Sequence, residues 1–151
     1  MQEIKIREAR IEDSAGIARL YPHWGYDLAR SRVIKSFLSK NETRCVARLD
    51  GKVVAHLFVK YGTGRNKHTA SLQSLIVAKK YRGKGIAQQI VKHAIENMRE
   101  GTEIVTTRAD QDNVASLRVF EKLGFVQYGL LEKGAKEGRS YKNLVLLKKE
   151  I

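Results

Sequence analysis

Hydrophobic and polar positions follow two different periods along this chain, and the order of the two predicts the fold class. Apolar residues at every second position predict strands, whereas recurrence every three to four positions predicts amphipathic helices. The predicted strands are 3–7, 43–49, 52–61, 68–77, 103–108, 125–131 and 141–147, and the predicted helices are 13–20, a segment ending near 40, 86–98 and 113–123. The order β-α-α-β-β-β-α-β-α-β-β indicates an α/β fold with a mixed sheet.

Turn and cap residues help to delimit these elements. Either Glu12 or Asp13 is suited to cap the first helix, because a carboxylate can accept hydrogen bonds from free N–H groups. Asp50 and Gly51 predict a tight hairpin between the second and third strands. The second helix is expected to bury three apolar residues: Ile34, Phe37 and Leu38.

Length and composition are those of one globular domain. The chain has 151 residues, of which 42% are hydrophobic, and this supports a single domain over residues 1–151. No apolar run reaches the length of about 18 residues that suggests a membrane-spanning helix. Residues 1–7 do not resemble a secretory signal, and the single cysteine, Cys45, lies in an apolar run and is expected to be buried. These features predict a cytoplasmic protein.

The net charge of +13 is the one extreme value of the composition. It suggests an anionic partner, namely a phosphorylated cofactor, an acidic substrate or a nucleic acid. The alternative is a lysine-rich surface that only solvates the protein, since the lysines are dispersed along the whole chain.

Residues 75–87 change from an apolar run to a basic, glycine-containing loop and then enter the third predicted helix. Four cations lie within six positions of this loop: Lys79, Lys80, Arg82 and Lys84. The start of a helix leaves backbone N–H groups free, and the helix dipole favours an anion there by about 0.3–1 kcal/mol. We therefore expect residues 82–87 to hold the phosphates of a cofactor.

Two motifs carry a family resemblance. The first is Arg82-Gly83-Lys84-Gly85-Ile86-Ala87, and the second consists of Asn113, Ser116, Phe120, Gly124 and Phe125. With both motifs in the same strand–helix order, the chain resembles the GCN5-related N-acetyltransferase (GNAT) superfamily. The first matches the Gln/Arg-x-x-Gly-x-Gly/Ala motif that binds acetyl-CoA in that family. The resemblance covers essentially the whole chain and implies a mostly antiparallel sheet, flanked by helices, with two central parallel strands that splay apart.

The resemblance implies acetyl-CoA as the co-substrate, without a metal, and a role for each matched position. Backbone groups of Ile76 and Val77 would bind the pantetheine arm, and the amides of residues 82–87 would hold the pyrophosphate. Asn113 and Phe120 would flank the lower part of the arm. The cofactor-binding residues expected on this basis are Ile76, Val77, Arg82, Gly83, Lys84, Gly85, Ile86, Ala87, Asn113 and Phe120.

The chain departs from the family at the residues that move protons. Many members use a tyrosine of the second motif as the general acid, whereas Phe120 has no proton to give. Members often carry a glutamate base on the fourth or fifth strand, where this chain has Gln73, Ser74, Thr106, Thr107 and Arg108. No catalytic residue is assigned. The remaining candidates are Glu42, His56, His68 and Asp110 as a base and Tyr128 and Tyr141 as hydroxyl donors.

The acceptor is expected to contact the least family-like segments. Tyr21, His23, Trp24 and Tyr26 could wall a pocket or simply pack between helices. The basic loop with Lys133, Lys136 and Arg139 could contact an acidic acceptor or be a solvated turn.

The leading hypothesis is an acetyl-CoA-dependent N-acetyltransferase that moves the acetyl group directly to an amine of a small molecule or a protein. The alternative, motivated by Phe120, is a CoA-binding sensor or scaffold without transferase activity. A nucleic acid is not expected as the main partner. Dimers are common in the family, so the resemblance also suggests a homodimer.

Overall fold

The structure is a computed structural model that describes residues 3–25 and 27–151. Its strands are β1 (Lys5–Glu8), β2 (Glu42–Leu49), β3 (Lys52–Tyr61), β4 (Thr69–Val77), β5 (Ile104–Asp110), β6 (Val126–Glu137) and β7 (Ser140–Glu150). Its α-helices are α1 (Ser14–Ala18), α2 (Arg30–Ser36), α3 (Ile86–Glu96) and α4 (Val114–Lys122). Short 3₁₀ turns lie at Ile11–Asp13, Tyr21–Trp24, Gly64–Asn66 and Lys79–Tyr81.

The strands form one sheet in the order β1-β2-β3-β4-β5-β7-β6. Neighbouring strands are antiparallel except β4 and β5, which pair in parallel only from Thr69–Ile104 to Leu72–Thr107. A parallel pair needs a crossover connection, and α3 supplies it. The mixed, mostly antiparallel sheet with splayed central strands is therefore confirmed.

A bulge in β4 marks the place where the two parallel strands part. His56 of β3 lies opposite Ile76, and Phe58 lies opposite Gln73. Between these two pairs β4 therefore contains one more residue than β3. Ser74, inside the bulge, has a positive φ of 51°. An extra residue bends a strand and increases its twist, which directs the end of β4 away from β5.

Two apolar cores hold helices on the sheet. In the larger core the inward face of α3, with Ile86, Ile90, Val91 and Ala94, packs on the sheet together with α4. The smaller core joins α1, α2 and the turn Tyr21–Trp24 to the sheet through Ile17, Leu20, Val33 and Ile76. Among the helices the structure describes, none is long and apolar enough to span a bilayer.

The second helix is shorter than the periodicity predicts. It ends at Ser36 rather than near residue 40, and it buries Val33 completely. Phe37 is partly buried, whereas Leu38 is 79% exposed, so the prediction that Leu38 faces inward is wrong. The physical reason is that the helix starts only at Arg30, which places Val33 toward the sheet and leaves Leu38 beyond the last turn.

The last two strands are longer than predicted. A bulge between Leu131 and Ala135 interrupts the alternation of β6, and pairing with β7 then resumes to the hairpin tip. The polar residues of the bulge hide this continuation from a pattern of period two.

Asp13 ties the N-terminal segment to the sheet instead of capping α1 with its side chain. Its buried carboxylate accepts two hydrogen bonds from Arg7 (2.7 and 3.0 Å), one from Arg48 (2.6 Å) and one from the Arg10 N–H (2.8 Å). Burial raises the pKa of Asp13, but the hydrogen bonds and the two guanidinium charges outweigh burial and leave the pKa below its ordinary value.

Replacing Asp13 by Asn should lower the free energy of unfolding by about 2 kcal/mol near pH 7, the scale of hydrogen bonds to a charged group. A lowered folded pKa adds stability that is present above the unfolded pKa of about 3.9 and is lost as the pH falls through the folded value. Urea denaturation at several pH values should therefore show the difference between wild type and Asp13→Asn shrinking below about pH 4. The exposed Asp27→Asn is the control, and a pH-independent difference for Asp13→Asn would contradict this account.

Candidate active site

A pocket of about 500 Å³ opens where β4 leaves β5. This volume is in the range of pockets that hold small molecules and cofactors. Four elements wall it: the end of β4, the loop and first turn of α3, one face of α4, and the turn Tyr21–Trp24. The lining residues are His23, Trp24, Leu75, Ile76, Val77, Tyr81, Arg82, Gly83, Gly85, Ile86, Ala87, Gln88, Asn113, Ala115, Ser116, Arg118, Val119 and Lys122.

The two parallel strands part after their last paired position, Leu72 and Thr107. There the Thr107 hydroxyl donates a hydrogen bond to the Leu72 carbonyl at 3.0 Å. Beyond it, Ile76 and Val77 keep their register with β3 but have no register with β5. The backbone edge of 75–77 that faces away from β3 therefore borders the pocket and can hydrogen-bond a bound extended group, as an added strand would.

The glycine loop points backbone donors toward the same pocket. Gly83 and Gly85 have φ of +76° and +78°, a left-handed conformation that residues with a Cβ adopt only at a cost. The first helical hydrogen bond runs from the Gln89 N–H to the Gly85 carbonyl (3.1 Å), so the amides of residues 86–88 have no acceptor within α3. Free amides at the positive end of the helix dipole form a site for an anion.

Arg82 fastens two walls together. Its Nε donates to the Val77 carbonyl (2.9 Å) and its Nη2 donates to the His23 carbonyl (3.0 Å). The Lys79 N–H also donates to His23 Nδ1, at 3.2 Å. The guanidinium therefore holds the turn Tyr21–Trp24 against the end of β4, a role that sequence reasoning, which placed Arg82 only at the cofactor phosphates, did not foresee.

The wall formed by α4 carries two cations that sequence reasoning missed. Arg118 and Lys122 both line the pocket and are four residues apart, a spacing that puts them on one helix face. This four-residue spacing in the sequence could have indicated that the two cations share one face of the helix. Asn113 caps the same helix by accepting a hydrogen bond from the Ser116 N–H at 3.2 Å. Together with the free amides of α3, these cations make the pocket suited to phosphate groups.

Eight of the ten residues predicted to bind the cofactor line this pocket, and Lys84 and Phe120 do not. The Lys84 ammonium lies 5.7 Å from the Tyr81 ring centroid, on the exposed side of the loop. Phe120 is only 3% exposed and packs edge-on against Phe125, with ring centroids 5.2 Å apart. Its side chain therefore supports α4 from the core.

None of the four candidate bases lines the pocket. His56 is fully buried, and burial together with the charge of Arg44 lowers its pKa to about 3, although a hydrogen bond to the Ser74 carbonyl acts in the opposite direction. The His68 carbonyl accepts from Glu103 and Ile104 at the opposite end of β4. Glu42 begins β2, and Asp110 ends β5 opposite Leu144.

The two tyrosines proposed as hydroxyl donors lie on the last two strands and are about half exposed, Tyr128 at 53% and Tyr141 at 50%. The ammonium groups of Lys133 and Lys136 lie 5.2 and 5.5 Å from the Tyr141 ring centroid.

The aromatic segment divides between core and pocket. Tyr21 is buried in the smaller core, whereas His23 and the half-exposed Trp24 line the pocket. Tyr26 lies outside the described residues.

Comparison with known proteins places this geometry in a family. A model of the acetyltransferase (GNAT) family matches residues 8–125. N-alpha-acetyltransferase MAK3 of Arabidopsis thaliana is 38% identical over 78 residues, which are 51% of this chain and 41% of the plant protein. N-alpha-acetyltransferase 30 of Schizosaccharomyces pombe is 30% identical over 82 residues, 54% of this chain and 53% of the yeast protein. The matches thus span about half the length of these relatives.

The fold also matches solved structures. The protein yncA of Salmonella typhimurium, in a structure with its cofactor acetyl-CoA, superposes with a TM-score of 0.87. The superposition covers 97% of this chain and 93% of that one at 17% sequence identity, which shows a shared fold.

Substituting Gly85 by Ala should weaken acetyl-CoA binding about tenfold, or about 1.4 kcal/mol, in isothermal titration calorimetry. A Cβ disfavours the left-handed backbone by about 1–2 kcal/mol, so the loop would relax and turn its amides from the pocket. Gly51 has a similar φ of +74° in the β2–β3 hairpin, and Gly51→Ala is the matched control. Equal loss of affinity in both variants would contradict a specific role of the loop.

Proposed function

Because this chain belongs to the acetyltransferase (GNAT) family, we propose that residues 1–151 act as one domain that transfers an acetyl group from acetyl-CoA directly to an amine. The observation that carries the proposal is the pocket at the parting of β4 and β5, with the glycine loop at its rim. We propose that the transfer needs no metal, since a thioester is already activated toward an amine.

The donor would lie along the pocket with its diphosphate on the glycine loop. The amides of residues 82–87 would hold the phosphate oxygens, with Lys84 adding charge from outside and Arg118 and Lys122 facing them from α4. The pantetheine arm would hydrogen-bond the backbone edge at Ile76 and Val77 that faces away from β3, beside the Val77 carbonyl, which already accepts from Arg82, and next to Asn113. Phe120 would contribute by keeping α4 in place.

The reaction would be a direct displacement. The acceptor nitrogen attacks the thioester carbonyl carbon, the carbon–sulfur bond breaks, and CoA leaves as a thiolate. The proton lost by the nitrogen goes to water or to the thiolate, so that the charges balance. Holding both reactants in one orientation can supply several kcal/mol of the barrier reduction without a protein base.

We propose that the acceptor is the α-amine of a peptide or protein. An α-amine has a pKa of about 7.7–8.0, so roughly 30% of it is neutral at pH 7.5, against about 0.1% of a lysine side chain. The pocket lining that the structure describes carries no aspartate or glutamate, and an α-amine depends least on such a base. The names of the two partial relatives, both N-alpha-acetyltransferases, support this choice.

Several expectations stay predictions of the sequence. These are a cytoplasmic location, a homodimer, and the absence of a nucleic acid as main partner.

A peptide pair tests the acceptor. One peptide has a free N-terminus and no lysine, and the other has the same sequence with a blocked N-terminus and one added lysine. Release of CoA thiol at pH 7.5 should be about 300-fold faster with the free N-terminus, following the ratio of the neutral fractions. Its kcat/KM should rise with pH and level off above about pH 8. Preference for lysine would overturn the acceptor class, and acetyl-CoA binding without thiol release from any amine would favour the sensor alternative.

A double variant tests the cationic wall. Arg118→Ala with Lys122→Ala should weaken acetyl-CoA binding by about 1–2 kcal/mol at low salt, since each partly exposed charge pair contributes up to about 1 kcal/mol. The loss should shrink in 1 M salt, where the Debye length is about 3 Å. Arg32→Ala with Lys35→Ala removes the same charges from exposed positions of α2 and is the control. If the control loses as much affinity, the wall has no specific role.

A further inference from the structure

Arg44 of β2 is a buried cation held by neutral groups. It is 7% exposed, and its Nε donates to the Ser36 hydroxyl (2.9 Å) while its Nη1 donates to the Tyr21 hydroxyl (3.1 Å) and to His56 Nε2 (2.7 Å). Its guanidinium also lies 4.5 Å from the Phe58 ring centroid. Within residues 3–25 and 27–151 no carboxylate pairs with it. Burying a charge is costly unless it is well hydrogen-bonded. The Arg44 guanidinium is therefore restricted to the position in which it makes these hydrogen bonds.

The contact with Arg44 fixes the tautomer of His56. Arginine only donates hydrogen bonds, so His56 Nε2 must accept, and Nδ1 must carry the ring hydrogen. The Nδ1–H then donates to the Ser74 carbonyl at 3.0 Å. Burial and the Arg44 charge keep the pKa of His56 near 3, so the ring remains neutral in this arrangement at ordinary pH.

The Ser74 carbonyl belongs to the bulge that separates β4 from β5. Ser74 has a positive φ of 51°, a left-handed backbone conformation that is costly for a residue with a Cβ. A buried hydrogen bond from His56 offsets part of that cost. Since Leu75 follows directly and begins the backbone edge of the pocket, the direction of that edge depends on the bulge.

The other contacts of Arg44 reach the opposite wall. Tyr21 begins the 3₁₀ turn whose His23 and Trp24 line the pocket, and its ring packs edge-on with Trp24 at a centroid distance of 6.3 Å. Ser36 ends α2. One guanidinium therefore connects the wall formed by this turn with the β4 bulge.

We propose that Arg44 and His56 are positioning residues of the acetyl-transfer site, which together set the backbone edge of residues 75–77 against the turn Tyr21–Trp24. The inference rests on the proposed function for its kinetic consequence, but its geometric content concerns this chain alone. His56 acts through the Ser74 carbonyl and takes no proton from the acceptor.

Two variants of His56 distinguish the effect of its hydrogen bond from the effect of its side-chain volume. The Asn amide of His56→Asn can still donate to the Ser74 carbonyl, whereas His56→Leu cannot. We expect kcat/KM for acetyl-CoA to fall tenfold or more in His56→Leu, because misplacement by about 1 Å can cost 100-fold, and to stay within about threefold of wild type in His56→Asn. Arg44→Met should resemble His56→Leu, since His56 would lose the donor that fixes its tautomer.

Ile95→Ala is the control for lost stability alone. Ile95 is partly buried near the C-terminal end of α3, about 14 Å along the helix from Ile86. It should lower the melting temperature while leaving kcat/KM near wild type. The inference is overturned if His56→Leu and His56→Asn have equal activity, or if His56→Leu loses no more activity than Ile95→Ala.

NMR of the ligand-free protein tests the inference independently of any transferase activity. Imidazole ¹⁵N shifts of wild type should report the Nδ1–H tautomer of His56, and the amide signals of 75–77 should move in His56→Leu but not in Ile95→Ala. The opposite tautomer, or unmoved amides, would overturn the inference. If the NMR result holds but wild type neither binds acetyl-CoA nor releases thiol, the proposed function fails and the positioning role in the fold stands.

Discussion

The parting of β4 from β5 is the constraint on which the site depends. Four residue pairs hold the two strands together, and after Leu72 and Thr107 each strand has a partner on one side only. An unpaired backbone edge inside a sheet is costly unless another group satisfies it. The opening between the diverging ends of β4 and β5 is called the fork. It stays open because β4 bends at Ser74 and because β5 remains paired with β7 up to Asp110. This arrangement produces the opening and also leaves backbone N–H and C=O groups along its edges without a strand partner.

Electrostatics gives the opening its chemical preference. The helix that crosses from β4 to β5 begins at the rim, so its free amides and dipole necessarily face the fork. Arg118 and Lys122 add positive charge from α4. Arg82 instead donates hydrogen bonds to the Val77 and His23 carbonyls and so holds two pocket walls together. The positive character of the opening therefore comes mainly from the backbone amides of α3 and from α4, and only partly from the basic residues of the loop.

Local sequence signals predicted the parts of the site that local structure determines. The glycine loop, the helix that follows it and the helix predicted over 113–123 each depend on residues near in sequence, and all three were predicted. Leu38 was misplaced because the start of α2 depends on packing against the sheet. Phe120 kept its motif position, but only the packing with Phe125 shows that its ring lies in the core. The Arg44–His56–Ser74 chain joins three strands through their register, and no local pattern contains that register.

The central claim is that the fork holds acetyl-CoA by its backbone, with the diphosphate at the start of α3. A crystal structure of the wild-type protein with acetyl-CoA tests this most directly. The account predicts phosphate oxygens about 2.7–3.2 Å from amide nitrogens of residues 83–87 and the pantetheine arm hydrogen-bonded to Ile76 or Val77. Acetyl-CoA bound outside the fork, or a fork closed by further pairing of β4 with β5, would contradict it.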